Sequence, residues 1–122
     1  AQAVKFINNT LKLCDVQGGG TLKLSDNRSI NCNIDNNASN INSMNAVFIQ
    51  YFLDRGYKNP YNNSVTVVYT ARNGRNDTDG RMRFDETECS SGSSKKQIAL
   101  WVKTHIASDY KPTLIKKDGW CN

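Results

Sequence analysis

Apolar positions recur at helical spacing from the start of the chain. Val4, Ile7, Leu11 and Cys14 lie three and four residues apart, which places them on one side of a short helix. Gly18-Gly19-Gly20 then breaks the period and predicts a flexible turn. No Gly-Lys-Ser/Thr follows these glycines, so they do not make a phosphate-binding loop. Beyond them the period falls to two. Residues 21–25 alternate, Asp26-Asn27 offers a turn, and residues 29–34 alternate again, the pattern of a small hairpin. Residues 35–42 are almost wholly polar and read as a surface loop. A second helix is expected next, capped by Ser43, with its stripe on Ala46, Val47, Ile49, Gln50, Phe52 and Leu53 and its stop at Arg55-Gly56.

The second half has the pattern of a sheet. Residues 65–70 are rich in β-branched side chains, and Asn73-Gly74 suits a hairpin turn leading into residues 80–85, where charged and apolar side chains alternate. Residues 90–94 form a short polar loop. Residues 97–103 read as a central strand, although a helix over 95–106 fits the same apolar run, and residues 113–115 make a last short strand. This order predicts one α+β domain over residues 1–122, with the N-terminal helix packed on a small antiparallel sheet.

Length agrees with that reading. A chain of 122 residues buries roughly two thirds of its unfolded surface, enough for one modest core. Its aromatic content of 9% argues against a disordered tail. No run approaches the roughly 18 apolar residues of a membrane span. The net charge of +5 gives weak attraction to polyanions without establishing a nucleic-acid protein. Sixteen asparagines against a single histidine predict much turn and loop.

The cysteines are more informative. Cys14, Cys32, Cys89 and Cys121 contain no closely spaced pair, which disfavours a four-thiolate metal site and favours two disulfides in an oxidising, extracellular setting. Three pairings exist. Proximity favours Cys14 with Cys32 and Cys89 with Cys121, closing loops of about 18 and 32 residues worth roughly 3–4 kcal/mol each. Four buried free thiols are the competing account. The sequence opens Ala1-Gln2-Ala3 without an initiator methionine, so an upstream part is expected to have been removed.

A leading amphipathic helix, a polar loop region, an Asn59-Pro60-Tyr61-Asn62 turn, an antiparallel sheet and two cysteines bracketing the end resemble the globular part of a type IV pilin or a type II secretion pseudopilin. The resemblance covers the layout of the whole chain, and its one local motif is the short element at residues 59–63. It implies a subunit of a bacterial surface filament, structural or adhesive, that catalyses nothing and takes no cofactor other than, as in some pseudopilins, a stabilising calcium ion. Its partners would be other pilin subunits, met through the N-terminal helix. Membrane anchoring would come only from a hydrophobic segment upstream, and the disulfide-bounded C-terminal region would run from Cys89 to Cys121. Host surfaces and DNA are further partners that the family implies.

Three constellations offer other chemistry. Asp77 and Asp79, aligned on Gly80, take positions three and five of an EF-hand loop, with Glu86 at position twelve. Position one would be Arg75, the wrong ligand, so the expectation is either an irregular calcium loop that also draws on Asn73 or Asn76, or an ordinary acidic turn. Arg72, Arg75, Arg81 and Arg83 gather across the expected hairpin, and Lys95 and Lys96 extend the patch. Such a face could neutralise phosphates while Tyr69 or Trp101 stacks on single-stranded bases, which makes a DNA-binding minor pilin the second reading. Gly80-Arg81-Met82-Arg83 is similar to a basic element of DNA-uptake pilins. A small secreted enzyme or toxin is the third reading, and it would need His105, with Asp109 orienting it, to meet an acidic partner in a cleft. Asn-x-Ser/Thr triplets begin at Asn8, Asn27, Asn37, Asn62 and Asn76, a number that sixteen asparagines produce by chance. Trp120 is expected to pack over the terminal disulfide.

Overall fold

The computed structural model describes residues 2–57, 68–70, 82–102 and 112–121. Helix α1 (Gln2–Gln17) comes first, followed by β1 (Thr21–Lys23), β2 (Ser29–Asn31) and helix α2 (Ala38–Asp54). Four strands complete the order: β3 (Val68–Thr70), β4 (Met82–Glu88), β5 (Lys96–Val102) and β6 (Pro112–Ile115). The fold is α+β, with two helices, a two-stranded antiparallel ribbon and a sheet ordered β3-β4-β5-β6. The pairs β4–β5 and β5–β6 are antiparallel.

Helix α1 buries Ala3, Ile7, Thr10, Leu11 and Cys14. Buried Thr10 satisfies its hydroxyl by donating to the Phe6 carbonyl one turn back, at 2.8 Å. The helix ends where Gly18, at φ 81°, takes a left-handed conformation that a side chain would resist. Its amide donates to the Asp15 carbonyl and that of Gly19 to the Cys14 carbonyl, both at 3.2 Å, the paired bonds of a Schellman stop. The glycine run is therefore a helix terminator as well as a turn. Next comes the ribbon, with Leu22 opposite Ile30. Cys32 ties its end to α1 through the Cys14–Cys32 disulfide.

The polar run after the ribbon is not all loop. Helix α2 starts at Ala38, capped by Asn37, whose side-chain oxygen accepts from the Asn40 amide at 2.9 Å. Ser43 lies inside the helix rather than at its cap. Ile41, the one large apolar residue in the first turn, is fully buried and starts the true stripe of Ile41, Met44, Asn45, Phe48, Ile49, Tyr51 and Phe52. The expected stripe is rotated: Ala46 and Gln50 are exposed and Val47 is half-buried. The stop at Arg55-Gly56 is as expected. The Tyr57 amide donates to the Phe52 carbonyl and the Gly56 amide to that of Leu53, while the Phe52 and Tyr57 rings meet with centroids 4.9 Å apart. This is a second Schellman stop with its hydrophobic contact.

Aromatic packing docks the helices. Phe6 stacks on Tyr51 at 4.6 Å and meets Phe52 and Phe48 edge-on. Phe52 in turn reaches Phe84 of β4 at 6.0 Å. Helix α2 lies against β3, β4 and β5, and α1 against β6. One sheet face contributes Met82, Phe84, Ile98, Leu100 and Ile115 to the core. Buried Asn45 joins α2 to β4 by donating to the Asp85 carbonyl at 3.0 Å.

Strand β3 departs from the expected hairpin. It pairs with β4 in parallel, Val68 opposite Met82 and Thr70 opposite Phe84. A two-residue turn at Asn73-Gly74 cannot return a chain to a parallel neighbour, because the link must cross from one end of the sheet to the other. The Asn73-Gly74 turn itself lies outside the described residues. The apolar run near Trp101 is strand rather than helix, since β5 pairs along its length with β4 and, over residues 98–101, with β6.

Candidate functional surface

The four cysteines are brought together in the two pairs that proximity favours. Cys14 and Cys32 are deeply buried, at 0% and 2% exposure, while Cys89 and Cys121 are half-buried. These disulfides indicate an oxidising, extracellular compartment. Among the described residues, no helix is long and apolar enough to cross a membrane.

The basic candidates divide. Arg83 follows Met82 and precedes Phe84, so strand alternation turns it away from the helices toward the opposite sheet face. There it stands in register with Trp101, its guanidinium carbon 4.6 Å from the ring centroid. Pro112 continues the row on β6, and Leu114, one step along, is 53% exposed. Lys95 is exposed in the β4–β5 turn, where its amide donates to the Ser93 hydroxyl at 3.1 Å. Lys96 instead pairs with Glu86 at 3.9 Å, both side chains largely covered. Their strands place them diagonally, since Glu88 stands opposite Lys96. One candidate phosphate contact and one candidate calcium ligand are thus each other's partners. Arg72, Arg75, Arg81, Asp77 and Asp79 lie outside the described residues, as do His105, Asp109 and the turn at residues 59–63. Among the described residues, no cluster of three acidic, cysteine or histidine side chains could hold a metal ion.

Three open polar hollows mark the described surface. One, beside the ribbon turn, is lined by Ser25, Asp26, Asn27, Arg28, Asp54 and Arg55. Inside it Arg28 Nε donates to Asp54 Oδ2 at 2.8 Å. This hydrogen bond holds the Asp54 carboxyl below its ordinary value and raises the Arg28 guanidinium above its own. The second lies where Glu86, Glu88 and Lys96 meet Ser90 and Ser91. The third sits between Asp35, Asn36 and Asn37 on one side and Ser94 and Lys95 on the other. None is walled by the apolar side chains that most small-molecule pockets use.

Sequence reasoning missed Asn36. Its carboxamide donates to the carbonyls of Lys96 and Trp120, at 2.9 and 2.7 Å, bridging the start of β5 and the C-terminal tail. No local signal separates it from the other asparagines. Trp120 is buried at 4% exposure, and its carbonyl lies 3.5 Å from Cys89 Sγ. On α1, Leu13 and Val16 point outward at 55% and 84% exposure, and Lys12 is exposed as well. Comparison of the chain with protein-family models, with curated proteins and with solved structures finds no match.

Proposed function

We propose that this domain is the globular part of an extracellular filament subunit of the type IV pilin or pseudopilin kind, structural or adhesive rather than enzymatic. The observation that carries this reading is the use of α1. Its inner stripe packs on the domain and is anchored by Cys14, while Leu13 and Val16 remain uncovered on its outer side. A helix apolar on one side and partly apolar on the other suits a subunit whose first element touches its own sheet and a neighbouring copy. The succession of first helix, sheet and a tail closed by Cys89–Cys121 supports the same reading. The test is immunogold labelling of intact source cells with antibody to this domain, together with mass spectrometry of sheared surface appendages. Labelled filaments containing this chain are expected. A chain found only inside the cell, or free in the medium with appendages lacking it, overturns the reading.

A second reading, a DNA-binding subunit of the same fold, draws on the Arg83–Trp101 pair on the sheet face away from the helices. A cation beside an aromatic ring can hold phosphate and base together. Binding of a fluorescent oligonucleotide that weakens with salt, and weakens several-fold further in Arg83→Ala, supports it. Affinity indifferent to both removes this pair from the argument.

A further inference from the structure

The same two pieces of chain are joined twice at one end of the sheet. Cys89, where β4 ends, is linked to Cys121 of the tail by a disulfide. Asn36 links that region to the tail again, through its bonds to the Lys96 and Trp120 carbonyls. The main chain fixes Asn36 in place, since the Lys96 amide donates to its carbonyl at 2.7 Å. The Cys89 amide donates to the Lys95 carbonyl at 2.9 Å, closing the β4–β5 turn beside it. Two further contacts hold the tail without sulfur: Trp120 is buried, and Lys117 Nζ sits 2.7 Å from the Asp15 carboxylate. The tail therefore keeps a non-covalent seat that does not depend on the disulfide.

Access separates the two disulfides. An attacking thiolate must reach one sulfur from the side opposite its partner, so the more exposed pair reacts first. Cys14 and Cys32 are enclosed by the core at 0% and 2% exposure, whereas Cys89 and Cys121 are both partly open to solvent.

We propose that Cys89–Cys121 is a reversible thiol–disulfide exchange site for a dithiol, with Asn36 as the positioning residue that keeps the two sulfurs near each other while the bond is open. One thiolate of the dithiol attacks a sulfur of the pair, forming a mixed disulfide and releasing the other cysteine as a thiolate, which takes up a proton. The second thiol of the reagent loses its proton and displaces the remaining cysteine, which is protonated in turn. Two electrons and two protons pass to the protein, and the dithiol leaves as its own disulfide.

The test uses the full chain in dithiothreitol without denaturant, quenched with iodoacetamide and mapped by peptide mass. Cys89 and Cys121 are expected to be alkylated about tenfold or more faster than Cys14 and Cys32. After removal of dithiothreitol, oxidised glutathione is expected to restore Cys89–Cys121 several-fold more slowly in Asn36→Ala than in the unaltered chain. A purely structural Asn36 would lower the melting temperature without changing that rate where both proteins remain folded. Asn36→Asp, which keeps the shape and removes the amide donors, replaces Asn36→Ala if the latter does not fold. Equal labelling of all four cysteines, earlier labelling of Cys14 and Cys32, or no labelling at all overturns the exchange site. An unchanged reoxidation rate in a folded Asn36 variant overturns the positioning role, and the labelling order in the unaltered chain is read independently of any variant.

Discussion

At the start of α2 a single carboxamide determines where the helix begins. Asn37 supplies the acceptor for the Asn40 amide, one of the orphan donors of the first turn. Asn37→Ala is expected to destabilise the domain by about 1 kcal/mol, read as a fall of about 4 °C in melting temperature. At the other end of the same helix Gly56 has φ 78° and open space where a Cβ would stand, so Gly56→Ala meets backbone strain alone. The expected cost is about 1–2 kcal/mol in a urea titration. The exposed Arg28–Asp54 pair adds a pH dependence. The Asp54 carboxyl is depressed by its bond to Arg28, so its contribution is present above the ordinary value near 3.8 and is lost as pH falls through the lowered folded value. Asp54→Asn should therefore lower the melting temperature slightly at neutral pH and leave it unchanged in strong acid, where the unaltered chain has lost the same interaction. An equal difference at both pH values would show that the pair contributes nothing. Single residues were also where the sequence was hardest to read. Asn36, Asn37 and Asn45 bridge, cap and bury, yet asparagine looks the same in a turn, at a cap or in the core.

Among the elements, α2 shows why a stripe can be found and still be misplaced. Its C-terminal stop was legible, because Arg55-Gly56 closes an apolar run. The first turn was hidden because Ile41 stands alone among polar neighbours, so spacing alone points to Ala46 and Val47 instead of to Ile41, Met44 and Phe48. The α1 stripe was legible because Ile7, Leu11 and Cys14 keep its period around the one buried polar residue, Thr10, yet Phe6, which fastens α1 to α2, lies beside that stripe and is not marked by it. Phe52 is the centre of this arrangement, touching Phe6, Tyr51, Tyr57 and Phe84 at 0% exposure. Phe52→Ala is expected to cost about 3–5 kcal/mol, measured as a fall in the urea midpoint. A loss below 1 kcal/mol would mean that the cluster collapses to fill the cavity. The parallel partnership of β3 was not legible, since alternation marks a strand without stating which way its neighbour runs. The basic surface suffered the same limit: charge spacing grouped Lys96 with the arginines, but strand register pairs it with Glu86.

For the whole molecule, the disulfides set how folding responds to its surroundings. Cys14→Ala with Cys32→Ala removes a buried crosslink spanning 18 residues, and the expected loss is about 3 kcal/mol. Calorimetry of the double variant should show the transition displaced downward by about 10 °C, and an unmoved transition would assign that crosslink no role in stability. The pairing itself was legible from proximity, because each loop is short beside the alternatives. The two covalent loops follow one another along the chain instead of overlapping, the first ending at Cys32 and the second opening at Cys89. One protease cut anywhere between these cysteines thus leaves two fragments with no bond between them, which separate on a denaturing gel without reductant. A cut inside either loop yields pieces that stay together until the sulfurs are reduced, so gels run without and with reductant together report whether the protein was nicked inside a covalent loop or outside both.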